Sequence, residues 1–317
     1  MPFPPVARRA AAGQLLPWPS HGLVTIPKRQ NHAAGAARTL RHDVLAGFLI
    51  LFTAVTAWLG AFGADVYRDN LLVRSGWHGN DLVTLLLATP LLTIGYGLSR
   101  RGSPRGTALW LGMLAYTLYN YAFYVFGAAF NQLFLVYVAI LALSTLGLIH
   151  GLTSPEAQRV LRAAAIGRVE RAVGMFVIMV SSVLGISWVA VSSGYLWTGT
   201  VPAMVRAVGH PTNVAGALDL WLVVSFGLLG GVWLWRRRDW GYLVAAIWTV
   251  KGAVYMTALS AASIAAFTSG AVDDLSQLGL WVPIGAGCAI CSVLLLRSCP
   301  AGATRPDDGP AGAGSDR

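Results

Sequence analysis

The sequence predicts an all-α, polytopic membrane protein, a transmembrane helical bundle of about eight spans arranged as a 4+4 parallel tandem repeat. Three observations carry this. Of 317 residues, 56% are hydrophobic and 11% charged, against about 25% charged in soluble domains; mean hydropathy is +0.61. The apolar residues fall in blocks of about 20, the length that crosses about 30 Å of hydrocarbon as a helix. The basic residues alternate from loop to loop as topology demands.

In chain order, residues 1–43 form a basic tail with no apolar core ahead of the first span, so no cleavable signal peptide is expected. Its Pro- and Arg-containing start and the end from 298 to 317 bury too little to order themselves and are expected to be flexible. Spans are expected at 44–66, 81–99, 107–127, 132–151, 172–196, 214–235, 241–267 and 276–296. The first four form one repeat (44–153) and the last four a second (172–297). Between them, residues 154–171 are expected as a helix on the cytoplasmic surface, with Ser154 as N-cap and Pro155 at its first position.

Orientation follows from Lys and Arg. All 23 lie in the tails, in the 2–3 and 6–7 loops or in the 4–5 segment, except Arg68, Arg74, Arg206 and Lys251. The excess marks the cytoplasmic side, so both termini are expected there, in a cell membrane. The net charge of +10 is then topological and does not call for nucleic acid; the bilayer is the expected partner. Aromatic residues at span ends, Trp110, Trp233, Trp235 and Trp240 inside and Tyr67, Trp77, Tyr195 and Trp197 outside, are expected at the interfaces.

The repeat rests on two matching runs. DLVTLLLATPLLTIGYGLSRRGSPRG begins at Asp81 and reaches Gly106; DLWLVVSFGLLGGVWLWRRRDWG begins at Asp219 and reaches Gly241. Aligning the aspartates pairs Asp81 with Asp219, and the later register pairs Tyr116 with Lys251 and Asn120 with Tyr255. Four spans per half give both halves one orientation, with a shared site expected between them.

Polar residues inside spans cost about 2.5–3.5 kcal/mol at mid-bilayer and need partners or water. Lys251, in span 7 on one face with Trp248 and Tyr255, is either a snorkelling or ion-paired structural residue or a charge lining a cavity. Asp81 and Asp219 are either helix-start carboxylates or, for Asp219, a partner of Lys251 or part of an outward pocket. Thr117, Asn120, Tyr121 and Tyr124 form one stripe on span 3, serving either as interhelical glue or as a pocket wall; Tyr116 and Tyr119 lie off it and are assigned to packing. A small-molecule ligand site is expected to draw on Asp81, Asn120, Tyr124, Asp219 and Lys251. Pro90 can kink span 2, and Gly227 with Gly231 has the GxxxG spacing of close helix packing.

Catalytic constellations do not emerge. Cys288 and Cys291 have thiol-oxidoreductase spacing but sit in an apolar span that disfavours the thiolate. The histidines are scattered, and HExxH, P-loop and paired-carboxylate signatures are absent. No catalytic residue, metal or cofactor is therefore assigned. The function classes that remain are a transporter or ligand-binding membrane protein, a non-catalytic assembly or regulatory component and, less favoured, a membrane-embedded enzyme.

The run YNYAFYVFGAAFNQLFLVYVAILALS (119–144), with LDLW (218–221) and RRRDWGYL (236–243), resembles an uncharacterised family of bacterial multi-pass membrane proteins. The resemblance implies a membrane location and carries no activity or site residues.

Overall fold

The computed structural model describes residues 28–299, apart from residue 165 and the side chains of residues 28–41. The tails expected to be flexible at 1–27 and 300–317 lie outside the described residues. The chain divides into two units, Met1–His42 and Asp43–Arg317; the helical bundle and its cavities belong to the second.

The described chain is helical throughout: α1 (Lys28–Phe62), α2 (Leu71–Arg100), α3 (Pro104–Gly127), α4 (Phe134–Thr153), α5 (Pro155–Ala163), α6 (Arg168–Thr198), α7 (Ala203–Val208), α8 (Val214–Trp235), α9 (Asp239–Thr268) and α10 (Leu278–Ser298). Seven of these, with α1 counted from His42, are long and apolar enough to cross a membrane. The exception among the long helices is α3, which coincides with the expected third span and holds 24 residues. Its tyrosines and Asn120 make it more polar, and it can carry them because it is almost wholly buried.

The centre of the bundle is α3 packed on α9, with Gly112 of α3 meeting Val250 of α9. Around this pair, α2 lies along α9, α4 along α3, α8 between α6 and α9, and α10 along α9. Apolar side chains are spent outward as well as inward. On α6, Met175, Met179, Val183 and Ile186 are exposed on one stripe, while Gly174, Val177, Ser181 and Gly185 are buried on the other. In water such a stripe would be a liability; against lipid it costs nothing. Gly174 and Gly231 let α6 and α8 approach until a Cβ on Gly231 would stand 2.9 Å from the Gly174 carbonyl oxygen, the close packing expected of the GxxxG pair.

Both short arginine turns have the same backbone. Arg101 N–H donates to Gly97 O (3.3 Å), Gly102 to Ser99 O (2.9 Å) and Ser103 to Leu98 O (3.1 Å). At a constant spacing of 135 residues, Arg236 donates to Val232 O (2.9 Å), Arg237 to Leu234 O (3.0 Å) and Arg238 to Trp233 O (2.8 Å). The residue that reverses the chain is left-handed in both, Gly102 at φ 78° and Arg237 at φ 58°, a helix C-terminal cap that favours glycine. The same spacing relates the π-helical segments Thr84–Ala88 and Asp219–Val224, where each begins. It also relates the contacts of Gly95 with Leu109 and Trp110 to those of Gly230 with Val244 and Ala245.

This corrects the register expected from the aspartates. The two loops are equal in length, so the residue matching Asp219 is Thr84, and Asp81 stands three residues ahead of it. Three further expectations change. Helix α2 starts at Leu71, not 81, because Asn70 caps it by accepting from Val73 N–H at 3.0 Å. The helix expected over 154–171 stops at Ala163; α6 then restarts after Gly167, whose N–H donates to Glu170 at 2.8 Å. Ser154 does cap α5, at 3.2 Å from Ala157 N, but α5 turns Ala157, Val160 and Leu161 into the bundle against α3. Finally, Tyr67 and Trp77 are buried in the interior, unlike the exposed Tyr195 and Trp197.

Candidate functional site

The polar side chains of the interior fall into two networks on either side of the α3–α9 contact. The first is centred on Asp81, which is 1% exposed. Its two oxygens accept from different elements: Tyr67 O–H, from the segment between α1 and α2, bonds Oδ2, and Tyr124 O–H of α3 bonds Oδ1 at 2.7 Å. Asn80 Nδ2 donates both to Tyr124 OH and to Asn120 Oδ1, each at 2.9 Å. Trp77 stacks on Tyr124 with ring centroids 4.3 Å apart, and Tyr121 and Tyr137 close the aromatic wall. Burial first, and the Asp81 carboxylate second, hold the Tyr67 phenol well above its ordinary range, which keeps it an O–H donor.

Space for the carboxyl comes from α1. A Cβ on Gly60 would overlap both Asp81 Oδ2 and Tyr67 OH, so glycine there is what lets α1 lie against the acid.

The second network joins Asp219, Lys251, Tyr119, Tyr255 and Trp188. Asp219 accepts from Tyr119 O–H (2.7 Å) and Trp188 Nε1–H (2.9 Å). The Lys251 ammonium lies over the rings of Tyr119 (3.6 Å to centroid) and Tyr255 (4.5 Å), cation–π contacts worth about 2 kcal/mol when desolvated. Lys251 and Asp219 make no direct ion pair; the described ion pairs are Arg100–Asp43 and Arg159–Glu156. Tyr119 stands between them, giving its hydroxyl to the acid and its face to the ammonium. At the positions 135 residues earlier, Thr84 and Tyr116 share a neutral hydrogen bond of 2.8 Å.

Two cavities open at the end of the bundle that carries the 63–70, 199–213 and 269–277 connections. One, about 450 Å³, is lined by Gly60, Tyr67, Arg74, Ser75, His78 and Ser269 among others. The other, about 370 Å³, lies among α2, α3, α7, α9 and α10, with Trp77, Asn80, Asn120, His210, Tyr255 and Trp281 in its wall. Several wall side chains carry polar atoms that are buried without a partner: Trp77 Nε1, Asn120 Nδ2, Trp281 Nε1 and His210 Nε2. Buried donors are normally satisfied, so this cluster is a place where an acceptor would be stabilised.

The expected site residues are therefore divided. Asp81, Asn120 and Tyr124 share the first network, and Asp219 and Lys251 the second. Asn120 alone of the five lines the second cavity; Tyr255 separates Lys251 from it. The span-3 stripe also splits. Asn120 and Tyr124 bond across helices, Thr117 bonds its own Met113 carbonyl at 2.9 Å, and Tyr121 OH has no partner. The sequence reading misses Asn80, Tyr67, Trp77 and Trp188, and assigns Tyr119 to packing; its spacing gives no hint that it faces the second half.

Comparison of the chain with protein-family models, with curated proteins and with solved structures finds no match, so the resemblance of 119–144 to a membrane-protein family gains no support there.

Proposed function

We propose that the protein spans a cell membrane eight times, as two tandem four-helix halves of one orientation, and that it captures a small molecule in the cavity between the halves as the first step of transport. The eighth crossing is α3, sheltered from lipid by its neighbours. The common 135-residue spacing of turns, π segments and glycine contacts supports duplication. The ends of the described unit meet one another's turns: Asp43 pairs with Arg100 (2.9 Å), and Arg105 donates to Cys299 O (2.7 Å). Both lie at the arginine-bearing end, which the distribution of basic residues assigns to the cytoplasm. The cavities then face outward.

The observation that carries the ligand reading is the unpartnered donors of Trp77 and Asn120, residues 4% and 1% exposed, in the wall of a mostly apolar cavity built from both halves. Pockets with a few placed polar groups in an apolar wall suit small molecules, and these donors suit one bearing hydrogen-bond acceptors. Asp81, Tyr124, Asp219 and Lys251 hold the wall from behind. The test is thermal shift of the detergent-purified protein against a panel of small molecules. At least one acceptor-bearing compound should raise Tm in wild type and lose that effect in Asn120→Leu and Trp77→Phe. Silence across the panel, or shifts unchanged in both variants, would remove the cavity from consideration.

A second reading has its own observation. Both buried networks take donors for their carboxylates from other helices, as interhelical glue in an assembly component would. Under it, Asn120→Leu alters stability or partners recovered with the protein and never a ligand response.

A further inference from the structure

We propose that Asp81 is a proton-loading carboxyl, filled from the cavity beside Gly60 and read out in the cavity between the halves through Tyr124, Asn80 and Asn120. The inference rests on the proposed ligand reading only in naming that second cavity as the place where the read-out matters.

The geometry is a single hydrogen-bonded chain with a cavity at each end. Gly60 and Tyr67 line the first cavity, and Tyr67 donates to Asp81 Oδ2. On the other side, Tyr124 donates to Asp81 Oδ1, and Asn80 donates to Tyr124 OH and to Asn120 Oδ1. Asn80 and Asn120 line the second cavity. The missing Cβ of Gly60 sits against both Asp81 Oδ2 and Tyr67 OH, so one glycine separates the acid from the first cavity.

The charge environment suits a proton. No cation pairs with Asp81 among the described residues. The titratable groups that face it are phenols: Tyr67 from the segment before α2, Tyr116, Tyr121 and Tyr124 from α3, and Tyr137 from α4. On its own helix, Arg74 and His78 line the first cavity. On α9, Lys251 answers to Asp219 and Cys288. A buried carboxylate without a cation is costly, and a proton is the smallest counter-charge that can reach it.

The loading step balances. A hydronium in the first cavity gives a proton to Tyr67 oxygen as the Tyr67 hydroxyl proton passes to Asp81 Oδ2, leaving water, neutral tyrosine and neutral carboxylic acid. A carboxylic acid has one donor where the carboxylate had none. One of its two phenols must therefore change from donor to acceptor. If that phenol is Tyr124, its freed hydroxyl competes with Asn80 for Asn120 Oδ1, and the wall of the second cavity is reset.

Infrared difference spectroscopy of the full chain in phosphatidylcholine vesicles, stepped between about pH 4 and 10 to cover the acid and base ranges, reads this directly. Wild type should show a carboxylic C=O band that appears on acidification, persists in Asp219→Asn and is missing from Asp81→Asn. Tyr67→Phe should move the band's frequency, because the acid loses one partner, and this variant decides the matter if Asp81→Asn does not fold. Asn120→Leu should change the proton affinity read from the band by about fivefold, the lower edge of ordinary coupling between sites. A band that survives Asp81→Asn, or is untouched by Tyr67→Phe, would overturn the assignment, as would the absence of any titrating band. An unmoved midpoint in Asn120→Leu would overturn the read-out. None of these results depends on a ligand, so failure of the binding panel is a separate outcome.

Discussion

Tyr119 gives the sharpest energetic test, because its hydroxyl and its ring serve different partners. Tyr119→Phe removes the 2.7 Å bond to Asp219 and leaves the ring under Lys251. Bonds to charged groups are worth about 1.5–3 kcal/mol in general, but helix–helix bonds in membranes average about 0.6. Asp219 keeps its Trp188 bond and is only half-buried, so we expect a loss of about 1 kcal/mol. Tyr119→Leu removes the ring as well, and with it the nearer cation–π contact of about 2 kcal/mol, for a total of about 3. Lys251→Met removes a buried charge that has no ion pair, so it should change stability by about 1 kcal/mol or less in either direction. In a double-mutant cycle with Lys251→Met, the coupling energy should be about 2 kcal/mol for Tyr119→Leu and near zero for Tyr119→Phe. Equilibrium unfolding in mixed micelles of rising SDS fraction measures wild type, the single variants and the doubles alike. Equal costs for the Phe and Leu variants, or no coupling between Tyr119→Leu and Lys251→Met, would refute the ammonium–ring contact as a stabilising feature.

The turn glycines test the 135-residue spacing. Gly106→Ala presses a methyl on Leu98 and Ser99, and Gly241→Ala does so on Trp233 and Leu234; each should cost about 1–3 kcal/mol, and unfolding curves should give matched losses. Gly231→Ala should lose a similar amount by parting α8 from α6, where Gly174 O and Ile178 leave no room; crosslinking yield between cysteines placed on the two helices should fall with it. Burial holds the His210 imidazole below its ordinary 6.5, with the Asp69 carboxylate opposing. The unfolded chain then takes up the proton first as pH falls, so this group's contribution is present above about 6.5 and is lost below it. Thermal stability should decline from about pH 7 to 5 more steeply in wild type than in His210→Gln.

The helical, membrane-type architecture is legible in the sequence because it depends on runs of apolar residues, and seven of them suffice. The start of α2 is not, since Arg74, His78, Asn80 and Asp81 interrupt the run. Its signal takes another form: Asn70 as a cap, followed by buried Val73 and Trp77 on a single helix face. Without that signal Asp81 reads as a membrane-edge residue, although it lies well inside a helix. The site is legible as a set of suspect residue types and not as a constellation. Tyr124 meets Asp81 across 43 positions, and Tyr119 meets Asp219 across 100; which face of α3 turns to which half is set by helix rotation, which sequence periodicity leaves free. α3 itself shows why: every face of it is buried, so its polar stripe and its off-stripe tyrosines are equally interior.

The corrected register bears on what the two aspartates can do. Had Asp81 matched Asp219, the two acids would be copies of one device. The constant spacing instead places Thr84 opposite Asp219 and Tyr116 opposite Lys251, so the first half holds a neutral hydrogen bond where the second half holds an acid and an ammonium with a tyrosine between them. Asp81 lies three residues nearer the cavity end, about 4.5 Å along the helix, where phenols and a glycine gap replace the cation. A scaffold repeated in its turns, π segments and glycine contacts thus carries different chemistry at matching depth. A carboxyl with no cation can change its proton count at the cost of rearranging hydrogen bonds. One tied through a tyrosine to a caged ammonium changes it only by also unbalancing the lysine. Asymmetry of that kind lets one half respond while the other holds its form.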